Sequence, residues 1–305
     1  MPQIYFIIVT YNAMPWAERC FSSLQNSSVP VQTIVVDNGS TDGTQDFLKN
    51  NFPAVEFLQS SENLGFGKAN NRGIEMAYKK SADFFYLMNQ DAWIFEDTVQ
   101  NLLAVFNNYE LQNEIGILSP MHLDGSEKNL DLFLDKYIAH NFENRLISDL
   151  YLKSVKSFYE LKFINAAHWF LPKKTVETVG GFNPYFFHYG EDQEYVNRLH
   201  LHGKKILLCP ASTAVHDGKQ NLKKVDYKKF ENLNIETNIL NPTLPNAYRH
   251  EKKALLQSIA KNLFLGNFKK ARELSKRSNK ISAEKDTLSN LRNSVEKPGP
   301  TFLDI

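Results

Sequence analysis

The sequence predicts an α/β fold: a mostly parallel, Rossmann-like central sheet flanked by helices, with a helical and basic C-terminal extension. Three observations carry this. From Ile4 to Met88, short apolar, β-rich runs alternate with segments of helical period, the pattern of βαβ units. Polar residues gather at the ends of those runs (Thr10, Asn12, Asp37, Asn63 and Asp91), and open parallel sheets bind ligands outside the carboxyl ends of their strands. Charge is uneven: Tyr248 to Lys280 holds ten Lys or Arg against Glu251 and Glu273, a balance of +8 in a chain of formal net charge +1, so the remainder stands at −7.

Ile4 to Val9 is a continuous apolar run, the mark of a strand buried on both faces. Asn12 to Asn26 carries Trp16, Cys20 and Leu24 at helical spacing, and Val31 to Val36 is a second buried strand ending at Asp37. The loop Asn38-Gly39-Ser40-Thr41-Asp42-Gly43 consists of turn formers and helix caps and leads into a short helix through Leu48. Val55 to Leu58 is a third strand, Asn63 to Gly67 a loop, Ala69 to Lys80 a helix, and Asp83 to Met88 a fourth strand that stops at Asn89-Gln90-Asp91. Further strands are expected over Ile115 to Ser119, Phe163 to Leu171 and Lys205 to Cys209. Helices are expected over Lys173 to Val179 and over Glu191 to His202, the second closed by Gly203 in the C′ position. Met121 to Glu160 shows no clear period. The charge break after the His216 loop suggests a first domain over 1–220 and a mainly helical extension over 221–305.

A chain of 305 residues with 42% hydrophobic and 23% charged residues has the composition of a folded globular protein. The near-neutral charge argues against nucleic acid as a partner. No apolar run reaches the ~18 residues of a membrane-spanning helix, and Met1 to Thr10 lacks the features of a secretory signal. Cys20 and Cys209 form no framework, so a reducing, cytoplasmic setting is expected.

Neither G-x-G-x-x-G after the first strand nor a P-loop is present; Gly65-Phe66-Gly67 has Asn70 where the third glycine belongs. What stands at the strand ends is Ile8-Val9-Thr10-Tyr11-Asn12, Val35-Val36-Asp37-Asn38-Gly39-Ser40-Thr41-Asp42-Gly43, Asn63-Leu64-Gly65-Phe66 and Asn89-Gln90-Asp91. Gly180-Gly181-Phe182, Gly190-Glu191-Asp192 and Val215-His216 follow. In this order, over roughly residues 3 to 218, the chain resembles the family 2 glycosyltransferases, and among them bacterial rhamnosyltransferase-like members that build surface polysaccharides.

The resemblance implies a GT-A fold and a metal-dependent, inverting transfer of a hexosyl or deoxyhexosyl group. The donor would be a UDP- or dTDP-sugar and the acceptor a hydroxyl of a glycan or lipid-linked glycan. It implies that Thr10, Asn12, Asp37, Asn63, Gly65, Asn89 and Asp91 bind the donor, that Asp91 and His216 hold Mn²⁺ or Mg²⁺, that Asp192 is the general base and that Glu191 positions the acceptor. Asn89 stands where the family's metal motif has its first Asp and supplies no charge. That substitution motivates the rival reading, a catalytically silent nucleotide-sugar or glycan-binding protein; a nucleotidyltransferase is a third option. Read as residues alone, Asp37 has a lesser reading as a turn cap, and Glu191-Asp192 one as an N-terminal carboxylate pair favoured by the helix dipole. Asp37→Ala is expected to weaken nucleotide binding with the fold intact. His188 is a second candidate base, and Trp169 and Tyr185 are candidates for stacking on sugar faces, although core packing is the commoner fate of such aromatics. Leu255, Leu256, Ile259, Leu263 and Phe264 lie at helical spacing among lysines, a pattern suited to peripheral contact with the inner face of the plasma membrane, or to a hairpin docked on the catalytic domain or in a homodimer.

Overall fold

In β1 (Ile4–Thr10), Ile4, Phe6 and Ile8 enter one apolar cluster while Tyr5 and Ile7 enter the other, the two-residue period of a strand buried on both faces. The computed structural model describes residues 1–218 and 227–305, so the expected domain boundary at 220 lies outside the described residues. The chain divides into two compact units, Met1–Val225 with Gly299–Ile305, and Asp226–Pro298.

In the first unit, β1 is followed by α1 (Ala17–Gln25), β2 (Gln32–Asp37), α2 (Thr44–Asn51), β3 (Glu56–Gln59), α3 (Phe66–Lys79) and β4 (Phe84–Asn89). Then come β5 (Ala92–Ile94), α4 (Thr98–Asn108), β6 (Ile115–Leu123), α5 (Leu132–His140), α6 (Leu146–Tyr151) and β7 (Tyr159–Leu161). The unit continues through β8 (His168–Pro172), α7 (Lys173–Val179), α8 (Glu191–Leu201) and β9 (Lys205–His216). The sheet order is β3-β2-β1-β4-β8-β6-β9-β5, with β7 also paired to β9. Pairing is parallel from β3 to β4. Beyond it the sheet is mixed: β8 runs antiparallel to β4 and β6, β6 and β9 are parallel, and β5 and β7 are antiparallel to β9.

Helices cover both faces. Ala17, Cys20 and Phe21 of α1 and Val99 and Leu102 of α4 pack with Phe6 and Tyr86, while Ile74 of α3, Val176 of α7 and Leu199 of α8 pack with Ile7 and Trp169. α3 lies close on β1 because residue 73 is glycine; a Cβ there would fall 2.3 Å from Ile7 Cγ2.

Three departures from the sequence reading have physical causes. The first helix starts at Ala17, because Asn12 sits at φ 53°, outside helical space. β9 runs to His216, past Pro210, which cannot donate to a ladder; pairing with β6 jumps from Cys209 to Thr213 across a bulge. Finally, Gly299–Ile305 returns to the first unit, where Gly181 N–H donates to Thr301 O (2.9 Å), Asp304 N–H to Glu75 Oε1 (3.0 Å), and Leu303 and Ile305 pack on the core.

The second unit is helical: α9 (Tyr227–Leu240), α10 (Ala247–Phe264), α11 (Phe268–Ala283) and α12 (Lys285–Ser294). Leu240, Leu255, Ile281 and Leu288 are buried, Lys252 Nζ donates to Ser278 Oγ (2.6 Å), and Arg292 caps the end of α9 through Ile239 O (3.0 Å). Among the described residues no helix is long and apolar enough to cross a membrane.

Candidate active site

Strand register brings the polar ends together. Thr10 stands opposite Asp37 and Val9 opposite Asn89 in the parallel ladders, so the loops after β1, β2 and β4 leave the sheet side by side. Asp37 is fully buried. Its carboxylate accepts from Thr10 Oγ1 (2.9 Å), Gly39 N–H (3.2 Å), Ser40 N–H (2.9 Å), the Ser40 hydroxyl and Gln45 Nε2 (2.9 Å). Five donors saturate it. Asp37 organises the loop, and Asp37→Ala would strand several donors in a buried site, a cost that the sequence reading did not include.

The neighbouring loops are joined in the same way. Asn12 N–H donates to Ser40 Oγ (2.9 Å) and its Oδ1 accepts from Thr41 N–H (2.9 Å). Asn38 reaches the next loop, donating to Gly65 O (3.3 Å) and accepting from Leu64 N–H (3.2 Å), and Asn63 Oδ1 accepts from Gly65 N–H (2.9 Å). Gly65 is required twice: its φ is +79°, and a Cβ would fall 2.2 Å from Phe187 O. Gln90 bridges back to the backbone of Tyr11, accepting from its N–H (2.7 Å) and donating to its carbonyl (3.2 Å).

A second cluster forms where β4 and β9 end. Ala92 pairs with His216 across the β5–β9 ladder and Asp217 N–H donates to Asp91 O (2.8 Å), which sets Asp91 beside His216. His216 Nδ1 donates to Asp131 Oδ2 (3.1 Å), and its Nε2 lies 3.3 Å from Asn89 Nδ2 and 3.7 Å from Asp91 Oδ1. Burial opposes a charge on His216, but the bond to Asp131 and the carboxylates of Asp91 and Asp217 outweigh it and hold the imidazole above its ordinary pKa.

Asp131 is buried and also caps α5, accepting from Phe133 N–H (2.7 Å) and Leu134 N–H (3.1 Å). Among the described residues, no three His, Cys, Asp or Glu form a closed metal cage. The donor set does fit a divalent cation shared with a diphosphate. Carboxylate oxygen and imidazole nitrogen stand together, a carboxylate orients the imidazole from behind, and the buried Asn89 Oδ1 has no partner. Gly218 packs close on the same ring, where a Cβ would lie 3.0 Å from Nε2.

The third element is the turn into α8. Arg198 and Glu194 form a fully buried ion pair (3.0 Å); Arg198 also donates to Gly181 O (2.7 Å) and Val179 O, while Asn183 Nδ2 donates to Glu194 Oε1 (3.1 Å). This network fixes the Gly180–Asn183 turn that leads to Glu191 and Asp192. Asn71 clamps the same turn, exchanging two hydrogen bonds with Phe182 (2.7 and 2.8 Å). Asp192 lies on the first turn of α8, and burial pushes its carboxyl up to about 6 against the hydrogen bonds from Gln193 N–H and its own backbone. Glu191 is buried beside Gly67, where an added Cβ would lie 3.8 Å from Glu191 Cβ. Tyr137 of α5 links this corner to the histidine cluster: burial, then the charges of Asp192 and Asp131, raise its phenol above the ordinary value.

Trp169 does not stack on sugars. It is wholly buried, parallel to Phe182 at 5.7 Å and tilted against Tyr195 at 5.2 Å, because it faces inward from β8. Tyr185 is half-buried against Phe186, and His188 is exposed beside Tyr189. The residues missed from sequence are Asp131, Tyr137, Glu194 and Arg198. An Asp followed by Leu134 and Ile138 at helical spacing was the available signal for the first.

The fold is of the GT-A class: S. aureus TarS residues 1–349, in complex with UDP, matches with a TM-score of 0.54 over 82% of this chain and 68% of that one, at 16% identity. Residues 5–148 match the family described as Glycosyl transferase family 2. The chain is similar to an N-acetylglucosaminyl-diphospho-decaprenol L-rhamnosyltransferase of Mycobacterium tuberculosis, 38% identical over 78 residues, which are 25% of each protein. It is also similar to the O-antigen chain rhamnosyltransferase WbaN of Salmonella anatum, 25% identical over 71% of this chain and 66% of that one. The matches thus span a quarter and just under two thirds of these relatives' lengths.

Proposed function

We propose that this protein is an inverting glycosyltransferase of bacterial surface polysaccharide assembly, moving a sugar from a nucleotide-diphosphate donor to a hydroxyl of a glycan or lipid-linked glycan. The observation that carries catalysis over mere binding is Asp192, a carboxyl on the first turn of α8 that burial raises to about 6, ionised at neutral pH yet basic enough to take a proton. Its carboxylate removes the acceptor's hydroxyl proton. The freed oxygen pair forms the new bond to the anomeric carbon while the bond to the diphosphate oxygen breaks, its electrons leaving with the diphosphate. Glu191 positions the acceptor.

On the donor side, Thr10, Asn12, Asn63 and Gly65 shape the nucleotide pocket and Asp37 holds its loop in place. Asp91 and His216 would hold Mn²⁺ or Mg²⁺, with Asn89 Oδ1 facing the same group; such a cation, when bound, stabilises charge on the departing diphosphate. The relatives' names favour a rhamnosyl donor, with UDP and dTDP as the carriers to compare. A cytoplasmic location suits such a donor.

Thermal unfolding with UDP-, dTDP- and GDP-sugars, with and without Mn²⁺, tests this reading, since a ligand of the native state raises the midpoint by mass action. Stabilisation by one donor class, enhanced by Mn²⁺, followed by sugar transfer to a diphospholipid-linked acceptor, is the expected result. Donor binding with no turnover on any acceptor would leave the silent binding protein as the better description.

A further inference from the structure

In the second unit, α10 ends at Phe264 and α11 begins at Phe268, joined by Leu265-Gly266-Asn267. This tip is apolar and uncovered: Leu263 is 49% exposed, Phe264 91%, Leu265 63% and Phe268 69%. Phe264 and Phe268 are among the most exposed large apolar residues of the described chain. Scattered single apolar residues on a surface are ordinary, but four within six positions at a helical turn form a patch.

Its flanks are basic. Lys261, Lys269, Lys270 and Arg272 carry four positive charges from Lys261 to Arg272, with no acidic residue among them. We infer that the α10–α11 tip is a membrane wedge, with Phe264, Leu265 and Phe268 entering the acyl boundary of an anionic bilayer while the flanking lysines meet its headgroups. Charge decides for lipid over a second copy of this chain. In a two-fold dimer the same patch faces itself, so four positive charges would meet four, whereas an anionic leaflet supplies both an apolar phase and opposite charge. Phenylalanines beside lysines at the end of a helix suit an interface with an apolar interior and an anionic rim. The inference deepens the lipid-linked acceptor reading, but its test does not depend on turnover.

The experiment is flotation of the full chain with vesicles of phosphatidylcholine alone and of phosphatidylcholine with phosphatidylglycerol, over a salt series. Wild type should float with the anionic vesicles and much less with the neutral ones. Phe264→Ser with Phe268→Ser should lower the partition coefficient at least about tenfold at every salt concentration, because two large apolar side chains lose their burial. Lys269→Glu with Lys270→Glu should lower it at low salt, with the deficit shrinking as salt rises. These side chains pack little in the native unit, so all variants should keep the wild-type unfolding midpoint and transfer to a water-soluble acceptor. Wild type that ignores anionic vesicles, or a double Phe variant that floats like wild type, would overturn the inference. So would light scattering that shows a wild-type dimer dissociated by the Phe substitutions with vesicle binding unchanged, since a second copy would then cover the tip. Vesicle binding without sugar transfer would instead count against the proposed function alone.

Discussion

The loops after β1, β2 and β3 and the ends of β4 and β9 are built from similar polar residues but treat them differently. In the first region the side chains of Asp37, Asn12, Asn38 and Asn63 are each paired with neighbouring side chains or backbone groups. In the second, Asn89 Oδ1 is left without a partner, and His216 Nε2 has only the long contact with Asn89 Nδ2 (3.3 Å) and faces Asp91 at 3.7 Å, beyond hydrogen-bond length. Saturated networks fix a shape, and unsaturated buried groups keep their reactivity for a ligand. The difference separates scaffold from chemistry within one crevice. It predicts that substitutions in the first region register mainly as lost stability, and those in the second and around Asp192 as lost turnover or metal affinity.

The largest effect should come from the chemistry. Asp192→Asn keeps the volume of the side chain and removes the base, so kcat should fall roughly 10²- to 10⁴-fold with donor affinity unchanged. Steady-state kinetics beside donor calorimetry checks this. Loss of donor affinity would move Asp192 into the donor pocket, and near-normal kcat would pass the base role to Glu191 or His188.

Next comes the scaffold. Asp37→Ala leaves buried donors from Thr10, Ser40 and Gln45 unmet, and removal of a buried charged acceptor of this kind costs on the order of 3–5 kcal/mol. Urea denaturation should show that loss without any ligand present. A variant with wild-type stability and weakened nucleotide binding would restore Asp37 as a direct ligand group and erase the contrast between the two regions.

The scaffold side was the more legible of the two. Turn chemistry is local, so Asp37-Asn38-Gly39-Ser40 and Asn63-Leu64-Gly65 announce their loops from a few residues, and the buried strands before them announce the sheet. The functional cluster around His216 was only half legible. Asp131 lies 85 positions away in a stretch with no clear period, and only the β5–β9 and β6–β9 ladders bring it near. Pro210 disguised the second half of β9, and so the strand that delivers His216. Trp169 stays open in the sequence because a tryptophan near aromatic loops reads the same whether it faces a ligand or the core; strand alternation in β8 decides for the core. The Glu194–Arg198 pair had a readable i,i+4 spacing, but such pairs usually lie in solvent, and nothing local signals this one's complete burial.

Asp131 sharpens the comparison because it belongs to both categories, a saturated cap that orients a reactive group. Asp131→Asn keeps an oxygen for the α5 cap but weakens the hold on His216 Nδ1. Loss of such an outer partner typically lowers metal affinity about 10- to 100-fold. Mn²⁺ titration followed by electron paramagnetic resonance, with nucleotide present, should show that weakening while the unfolding midpoint drops far less than in Asp37→Ala. Equal Mn²⁺ affinity in the two proteins would reduce Asp131 to a helix cap.

The smallest expected effect is the one that ties stability to chemistry at a single group. Burial holds Asp192 at about 6 in the folded chain, against an ordinary carboxyl value of 3.8, so the folded state binds its proton more tightly than the unfolded state does. For a carboxyl raised in this direction, the sign is opposite to that of a salt-bridged one. Its ionisation costs stability, the cost is fully present above about pH 6, and it fades as pH falls from there toward the unfolded value. Asp192→Asn should therefore be more stable than wild type at pH 8, by on the order of 1 kcal/mol after allowance for partial solvation, with the gain vanishing near pH 4. Activity should move the other way in wild type. Only the ionised carboxylate can take the acceptor's proton, so kcat should fall toward tenfold per unit below about pH 6. Calorimetric scans of both proteins at several pH values, beside wild-type kcat over the same range with donor saturating, test the two limbs together. A variant less stable than wild type at pH 8, or a kcat that stays level from pH 7 to 5, would show that Asp192 is an ordinary helix-terminal carboxylate and not the strained base of the crevice.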